Sequence, residues 1–143
     1  KNSSNNLLEF SQNFNTEEWK RLTVICTSEK EIDPKGKKTA FKFVGTSTSD
    51  GYILNVIKKN KGAFRWSIWL KGKGMTRIRF QEEGGDYTNY NTLVINLTDK
   101  WTKYSLAGEK ENDGNYLRCI ISDIQINENV SLWGAELIEL SKK

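Results

Sequence analysis

The side chains best suited to chemistry in this chain are ordered by twos. In Ala63–Lys71 the even positions Phe64, Trp66, Ile68 and Leu70 are apolar, while Arg65, Ser67 and Lys71 are polar and Trp69 breaks their row. In Thr76–Glu82 the even set includes Ile78 and Phe80, and the odd set is Arg77, Arg79 and Gln81. A two-residue period with one apolar side marks a half-buried strand, so the even sets enter a core. Trp69 then leaves the core, sharing a face with Arg65, Arg77, Arg79 and Gln81 if the two strands pair. An outward indole ringed by guanidinium and amide groups suits a pyranose. The axial C–H patch of the sugar stacks on the ring, and its hydroxyls find donors and acceptors around it. A rigid ring also loses little entropy on binding. The other reading puts Trp69 under a loop or under the N-terminal segment, with Arg77 and Arg79 on a solvated face beside Glu82 or Glu83.

A second constellation is the stretch Gly84-Gly85-Asp86-Tyr87-Thr88-Asn89-Tyr90-Asn91. Tyr87 and Tyr90 among small polar residues have the make-up of a recognition loop, or of a loop folded back with its rings on the sandwich edge. Trp19, just after Glu17-Glu18, is either a rim platform or a plug for the end of the core. Asn55, within an apolar strand, is a candidate hydroxyl partner. Trp66 and Trp133 have apolar neighbours and read as core, and Trp101 opens a strand.

Several chemistries are excluded. The chain has no His, which removes Ser-His-Asp and Cys-His catalysis, His-ligated metals and a histidine pH switch. Two Cys, at positions 26 and 119, cannot build a structural zinc site alone; they form one long-range disulfide or stay as buried thiols. A glycosidase needs two carboxylates roughly 5–9.5 Å apart. Glu82 and Glu83 are adjacent and point to opposite sides of a strand, and Glu17 and Glu18 begin a turn. No phosphate-cradling or dinucleotide glycine motif occurs. No cofactor is expected, and a structural calcium held by oxygen ligands is only weakly supported. Lys plus Arg number 22 against 18 Asp plus Glu, a net charge of +4 scattered over short groups at turns rather than one face, which argues against nucleic acid. The apolar runs are too short for a membrane-spanning helix, so no membrane partner is expected.

The elements that must position these residues are short strands. Strand signals recur at Leu22–Thr27, Thr39–Gly45, Tyr52–Lys58, Ala63–Lys71, Thr76–Glu82, Thr92–Leu97, Lys103–Ala107, Tyr116–Asp123, Gln125–Asn127 and Ser131–Leu140. Asp50-Gly51, Gly72-Lys73-Gly74, Gly84-Gly85, Asp99-Lys100 and Asp113-Gly114 supply turns, and one helical turn fits Thr16–Leu22. About ten short antiparallel strands in 143 residues predict an all-β fold, an antiparallel β-sandwich or jelly roll in two sheets. Residues 1–5 read as linker, 6–140 as one domain and 141–143 as tail. The opening Lys-Asn-Ser-Ser-Asn-Asn, with no Met, suggests a module of a larger protein, and Asn2, Asn96 and Asn129 head glycosylation sequons.

Taken in order, Asn6-Leu7-Leu8, Phe14, Trp19, Thr39-Ala40-Phe41-Lys42, Phe64–Lys71, Trp101-Thr102-Lys103-Tyr104-Ser105 and Leu132-Trp133-Gly134-Ala135-Glu136-Leu137 form a familiar series. From about Asn6 to Leu140 the chain resembles the jelly-roll carbohydrate-binding modules of the family 4, 9, 16 and 22 type, and related modules on phage tail proteins. The resemblance implies a non-catalytic, monomeric appendage of a secreted or cell-surface enzyme, binding polysaccharide or oligosaccharide in a cleft on the sandwich. It implies strand aromatics and Arg or amide side chains there, which fits Trp69, Arg77, Arg79 and Gln81, with Trp19 contributing as in some relatives. Two departures stand out. The face is richer in Arg than a neutral-glucan cleft, and the closing Trp-Gly-Ala-Glu-Leu lacks the acidic residue flanked by aliphatics that accompanies a structural calcium in many relatives. The alternative is a structural or protein-interaction jelly roll of the phage-tail or adhesin type.

Overall fold

The computed structural model describes residues 6–8, 13–48, 51–84 and 86–140, without the side chains of 84, 86 and 87. Its ten strands are β1 (Lys20–Leu22), β2 (Val24–Cys26), β3 (Phe41–Gly45), β4 (Gly51–Lys58), β5 (Gly62–Lys73), β6 (Met75–Gly84), β7 (Asp86–Asn96), β8 (Thr102–Lys110), β9 (Tyr116–Ile124) and β10 (Asn129–Glu139). They form two five-stranded antiparallel sheets, ordered β1-β4-β9-β6-β7 and β2-β3-β10-β5-β8. This is the jelly-roll sandwich that the strand count predicts.

The even faces of β5 and β6 do enter the core, where Phe64, Trp66, Ile68, Leu70, Ile78 and Phe80 are fully buried. They reach it from opposite sides, because β5 and β6 belong to different sheets. A period of two assigns side chains to faces but does not choose the neighbouring strand. The short link through Gly74 (φ 110°) therefore carries the chain from one sheet to the other rather than closing a hairpin. The chain also changes sheets at Thr23 (φ 52°), which divides the single predicted strand Leu22–Thr27 into β1 and β2.

Aromatic rings fill one end of the core. Phe14 packs 4.7 Å from Trp19 and 6.1 Å from Phe41, and Trp19 lies 6.5 Å from Trp66. Trp19 is thus a core plug, not a rim platform. Its segment makes one turn, with the Trp19 N–H donating to the Thr16 carbonyl, and no helix follows. Trp133 departs from expectation in the other direction. The inward places on β10 belong to Val130, Leu132, Ala135 and Leu137, and Trp133 lies half-buried on the outer side. A register shift between Trp133 and Glu136, with Gly134 at φ 66°, lets the inward set step from Leu132 to Ala135.

The stretch expected to be a recognition loop is a strand. Residues from Asp86 onward pair with β6, Gly84 standing opposite Asp86, so β6 and β7 form a long hairpin. Its Tyr and Thr residues favour a pleated surface. Cys26 and Cys119 are both free thiols, and burial pushes the Cys119 thiol well above its ordinary value.

Candidate functional site

The register of the first sheet sets its outward side chains in rows. Leu22, Tyr52, Ser122, Arg77 and Val94 stand side by side across its five strands, and Lys20, Leu54, Ile120, Arg79 and Thr92 form the next row. Beyond them come Val56, Arg118, Gln81 and Asn89, then Lys58, Tyr116 and Glu83. Two adjoining depressions lie on this face, of about 230 and 330 Å3, and they share Tyr52, Leu54 and Arg118. Together they make one groove, from Gly51 and Asp123 at one end to Tyr116 and Glu83 at the other. Leu54 and Ile120 give it an apolar floor, and Tyr116 is 46% exposed at its far end.

The polar side chains around the floor are fixed by one another. Asp123, at φ 65° and nearly buried, is paired with Arg77 and lies 3.6 Å from Arg79. Arg79 Nε also donates to Ser122 Oγ at 2.9 Å. Arg118 Nη1 donates to Gln81 Oε1 at 3.2 Å, Gln81 Nε2 donates to Asn89 Oδ1 at 3.3 Å, and Arg118 Nε lies 3.8 Å from Glu83. These links hold guanidinium and amide planes along the edge of the groove before any ligand arrives.

Of the residues singled out in the sequence, Arg77, Arg79 and Gln81 share this groove face. Trp69 and Arg65 do not: both lie on the outer side of β5, in the opposite sheet, since β5 and β6 do not pair. Trp69 is half-buried, edge-on to Trp133 at 6.4 Å and flanked by Lys103 on β8. The loop of residues 27–40 reaches part of that face. Trp133 Nε1 donates to Thr39 Oγ1 at 3.0 Å and Trp101 Nε1 to the Ile32 carbonyl at 2.9 Å. Asp33 pins the loop, its carboxylate accepting from the Lys35 and Lys37 N–H groups and from Thr39 Oγ1.

Asn55 sits on the inward side of β4 opposite Cys119, buried, and lines a separate cavity of about 370 Å3 at the sheet edge with Leu7, Glu17 and Glu18. Tyr90 also turns inward, its ring 6.0 Å from Phe80 and its hydroxyl donating to the buried Glu82 carboxylate. Burial and that bond push its phenol up to about 12. Tyr90 is therefore a structural residue rather than a loop contact. Tyr87 stands opposite Glu83, and its side chain lies outside the described residues.

Tyr52, Tyr116 and Arg118 are the groove residues that sequence reasoning missed. A signal for two of them was present: Leu117, Cys119 and Ile121 alternate with Tyr116, Arg118 and Ile120, which places the latter set outward. Tyr52–Ile57 offers no such signal, because apolar residues occupy both faces of β4.

No family model matches the sequence, and no curated protein matches it. Solved structures do. The xylan-binding CBM22-1 domain of Paenibacillus barcinonensis Xyn10C superposes at TM-score 0.64 with 16% identity, over 93% of this chain and 92% of that one. A CBM61 domain solved with β-1,4-galactotriose superposes at 0.63 with 13% identity, over 91% and 92% of the two chains. The enzymatically active domain of bacteriophage CBA120 tailspike protein 4 superposes at 0.71 with 10% identity; it covers 95% of this chain, which spans 22% of the tailspike chain. The chain thus has the jelly-roll fold of carbohydrate-binding modules.

Proposed function

We propose that this chain is a non-catalytic carbohydrate-binding module, which docks a polysaccharide or oligosaccharide chain in the groove of the first sheet. The observation that carries the reading is the groove itself: an elongated apolar floor with Tyr52 and Tyr116 along it and immobilised Arg79, Arg118 and Gln81 at its edge. Sugar rings lie flat on apolar and aromatic surface, and their hydroxyls take hydrogen bonds in the plane of the ring. Solved structures of the same fold, one a xylan-binding domain and one in complex with galactotriose, lend support.

Among the described residues, the two carboxylates on this face do not suit hydrolysis. Glu83 is level with Tyr116 on β9 and Asp123 lies seven positions further along, a separation of about 23 Å at strand spacing. A glycosidase pair stands roughly 5–9.5 Å apart. In this reading the module belongs to a larger secreted or surface-exposed protein and brings an attached glycan-degrading enzyme to its substrate.

Affinity electrophoresis against a panel of neutral and acidic polysaccharides tests it. The wild type is retarded on at least one of them, Tyr52→Ala loses that retardation, and Trp69→Ala, on the opposite sheet, keeps it. The reverse result for the two variants would move the site to the second sheet. No retardation on any glycan, with a higher oligomer on size-exclusion chromatography, would favour a structural jelly roll.

A further inference from the structure

The shape of the groove suits a sugar chain in general, but the way its charges are held is more particular. Lys20, Lys58, Arg77, Arg79 and Arg118 project from the outward rows of the first sheet, against the carboxylates of Glu83 and Asp123 among the described residues. Five cations against two anions leave this face with a positive charge. The outward rows of the second sheet carry the same balance, with Lys42, Arg65, Lys71, Lys73 and Lys103 against Glu109 and Glu136, so what sets the groove face apart is how its guanidinium groups are held.

The pairing within the groove sharpens the point. Arg77 and Arg79 share one carboxylate, that of Asp123, whose side chain is 7% exposed while the two arginines are 33% and 30% exposed. Asp123 thus orients two guanidinium forks from below and balances one of them. Ser122 fixes Arg79 further. At the other end Arg118 forms an ion pair with Glu83 at 3.8 Å, while Gln81 holds the guanidinium in place. A fork held in place receives a planar or tetrahedral anion through parallel N–H bonds, and the Arg77–Arg79 pair has one more positive charge than Asp123 balances.

We propose that the groove selects glycans carrying anionic groups, uronate carboxylates or sulfate esters, with Arg79 and Arg118 reading them. This rests on the glycan-binding reading above and adds the class of ligand. Isothermal titration calorimetry on matched polymers tests it: polygalacturonate against its carboxyl-reduced form, a sulfated galactan against its desulfated form, and a single-stranded DNA oligonucleotide as the non-glycan polyanion. One charge-assisted fork contact is expected to give at least about tenfold tighter binding of an acidic polymer than of its neutral partner. The advantage should shrink as ionic strength rises and the Debye length falls.

Arg79→Gln and Arg118→Gln should each erase most of that preference. Lys103→Gln removes the same charge from the opposite sheet and should leave it intact. Whether the uronate or the sulfate pair shows the larger ratio identifies the anion. Equal affinity for acidic and neutral partners would overturn this inference and leave the glycan-binding reading standing. DNA bound as tightly as the acidic glycan would overturn it in favour of a polyanion site, and no binding to any of the glycans would overturn both.

Discussion

Glu82 shows how single residues hold the end of the sandwich. Its carboxylate, 2% exposed on the inward side of β6, accepts from the Tyr90 hydroxyl and from Asn115 Nδ2, with the buried Lys110 ammonium 3.9 Å away. Burial by itself would raise its pKa; the hydrogen bonds from Tyr90, Asn115 and Asn112 and the nearby ammonium outweigh it and leave the group below its ordinary value. Asp33 is lowered in the same way, its burial outweighed by bonds from Thr39 and the loop backbone. A carboxyl depressed in the folded state contributes stability that is fully present above its unfolded pKa and is lost as pH falls through the folded one. Urea midpoints should therefore stay level from neutral pH down to about the ordinary glutamate value of 4.5, then fall. In Glu82→Gln that acid fall should be shallower. The variant should start about 2 kcal/mol less stable, because Lys110 is left buried without a counter-charge. Identical acid slopes in variant and wild type would show that Glu82 does not set the pH dependence.

At the level of elements, the spacing of the two sheets is set where β8 crosses the core edge. Gly108 stands opposite Phe64 on β5 and faces the Phe80 ring of the other sheet, and a Cβ there would lie 2.6 Å from Phe80 Cε2. Phe80 is fully buried and has little room to retreat. Gly108→Ala should cost about 2 kcal/mol as an overpacking substitution, read from thermal or chemical denaturation. A neutral result would mean that β8 can slide away from β6. The same elements explain what was legible beforehand. Strict alternation on β5 and β6 made the inward sets of both strands readable, because burial on one side selects every second residue. Strand partners were not readable, since the short Gly72–Gly74 link looks like a hairpin whether or not the chain changes sheets. Trp69 was thereby joined to arginines that lie on the far side of the molecule. Trp133 misled for another reason: its apolar neighbours Leu132 and Ala135 are both inward only because the strand bulges between them. Tyr90 looked like a loop residue because glycine, asparagine and threonine around it mask a strand that exists through pairing with β6.

The whole molecule separates its aromatics in a way that makes the binding face measurable. Trp19 and Trp66 are buried between the sheets, and Trp69, Trp101 and Trp133 lie half-buried on or beside the second sheet. Among the described residues, the aromatic side chains lining the groove are tyrosines, Tyr52 and Tyr116. Packed sheets stand about 10 Å apart, so a glycan on the outer side of the first sheet is remote from Trp69, Trp101 and Trp133, and burial keeps Trp19 and Trp66 from touching it. Saturating the protein with a bound glycan should therefore leave the tryptophan emission maximum and intensity nearly unchanged. An ultraviolet difference spectrum should instead report tyrosines moving into a less polar setting. Strong quenching or a blue shift of tryptophan emission would contradict this and place the sugar against Trp69 and Trp133. The measurement needs no variant, so it distinguishes the two faces even if Tyr52→Ala fails to fold. It also bears on why one face can be left unoccupied. The loop of residues 27–40 already takes the Trp101 and Trp133 indole N–H groups, whereas the first sheet keeps its tyrosines and guanidinium edges turned toward solvent.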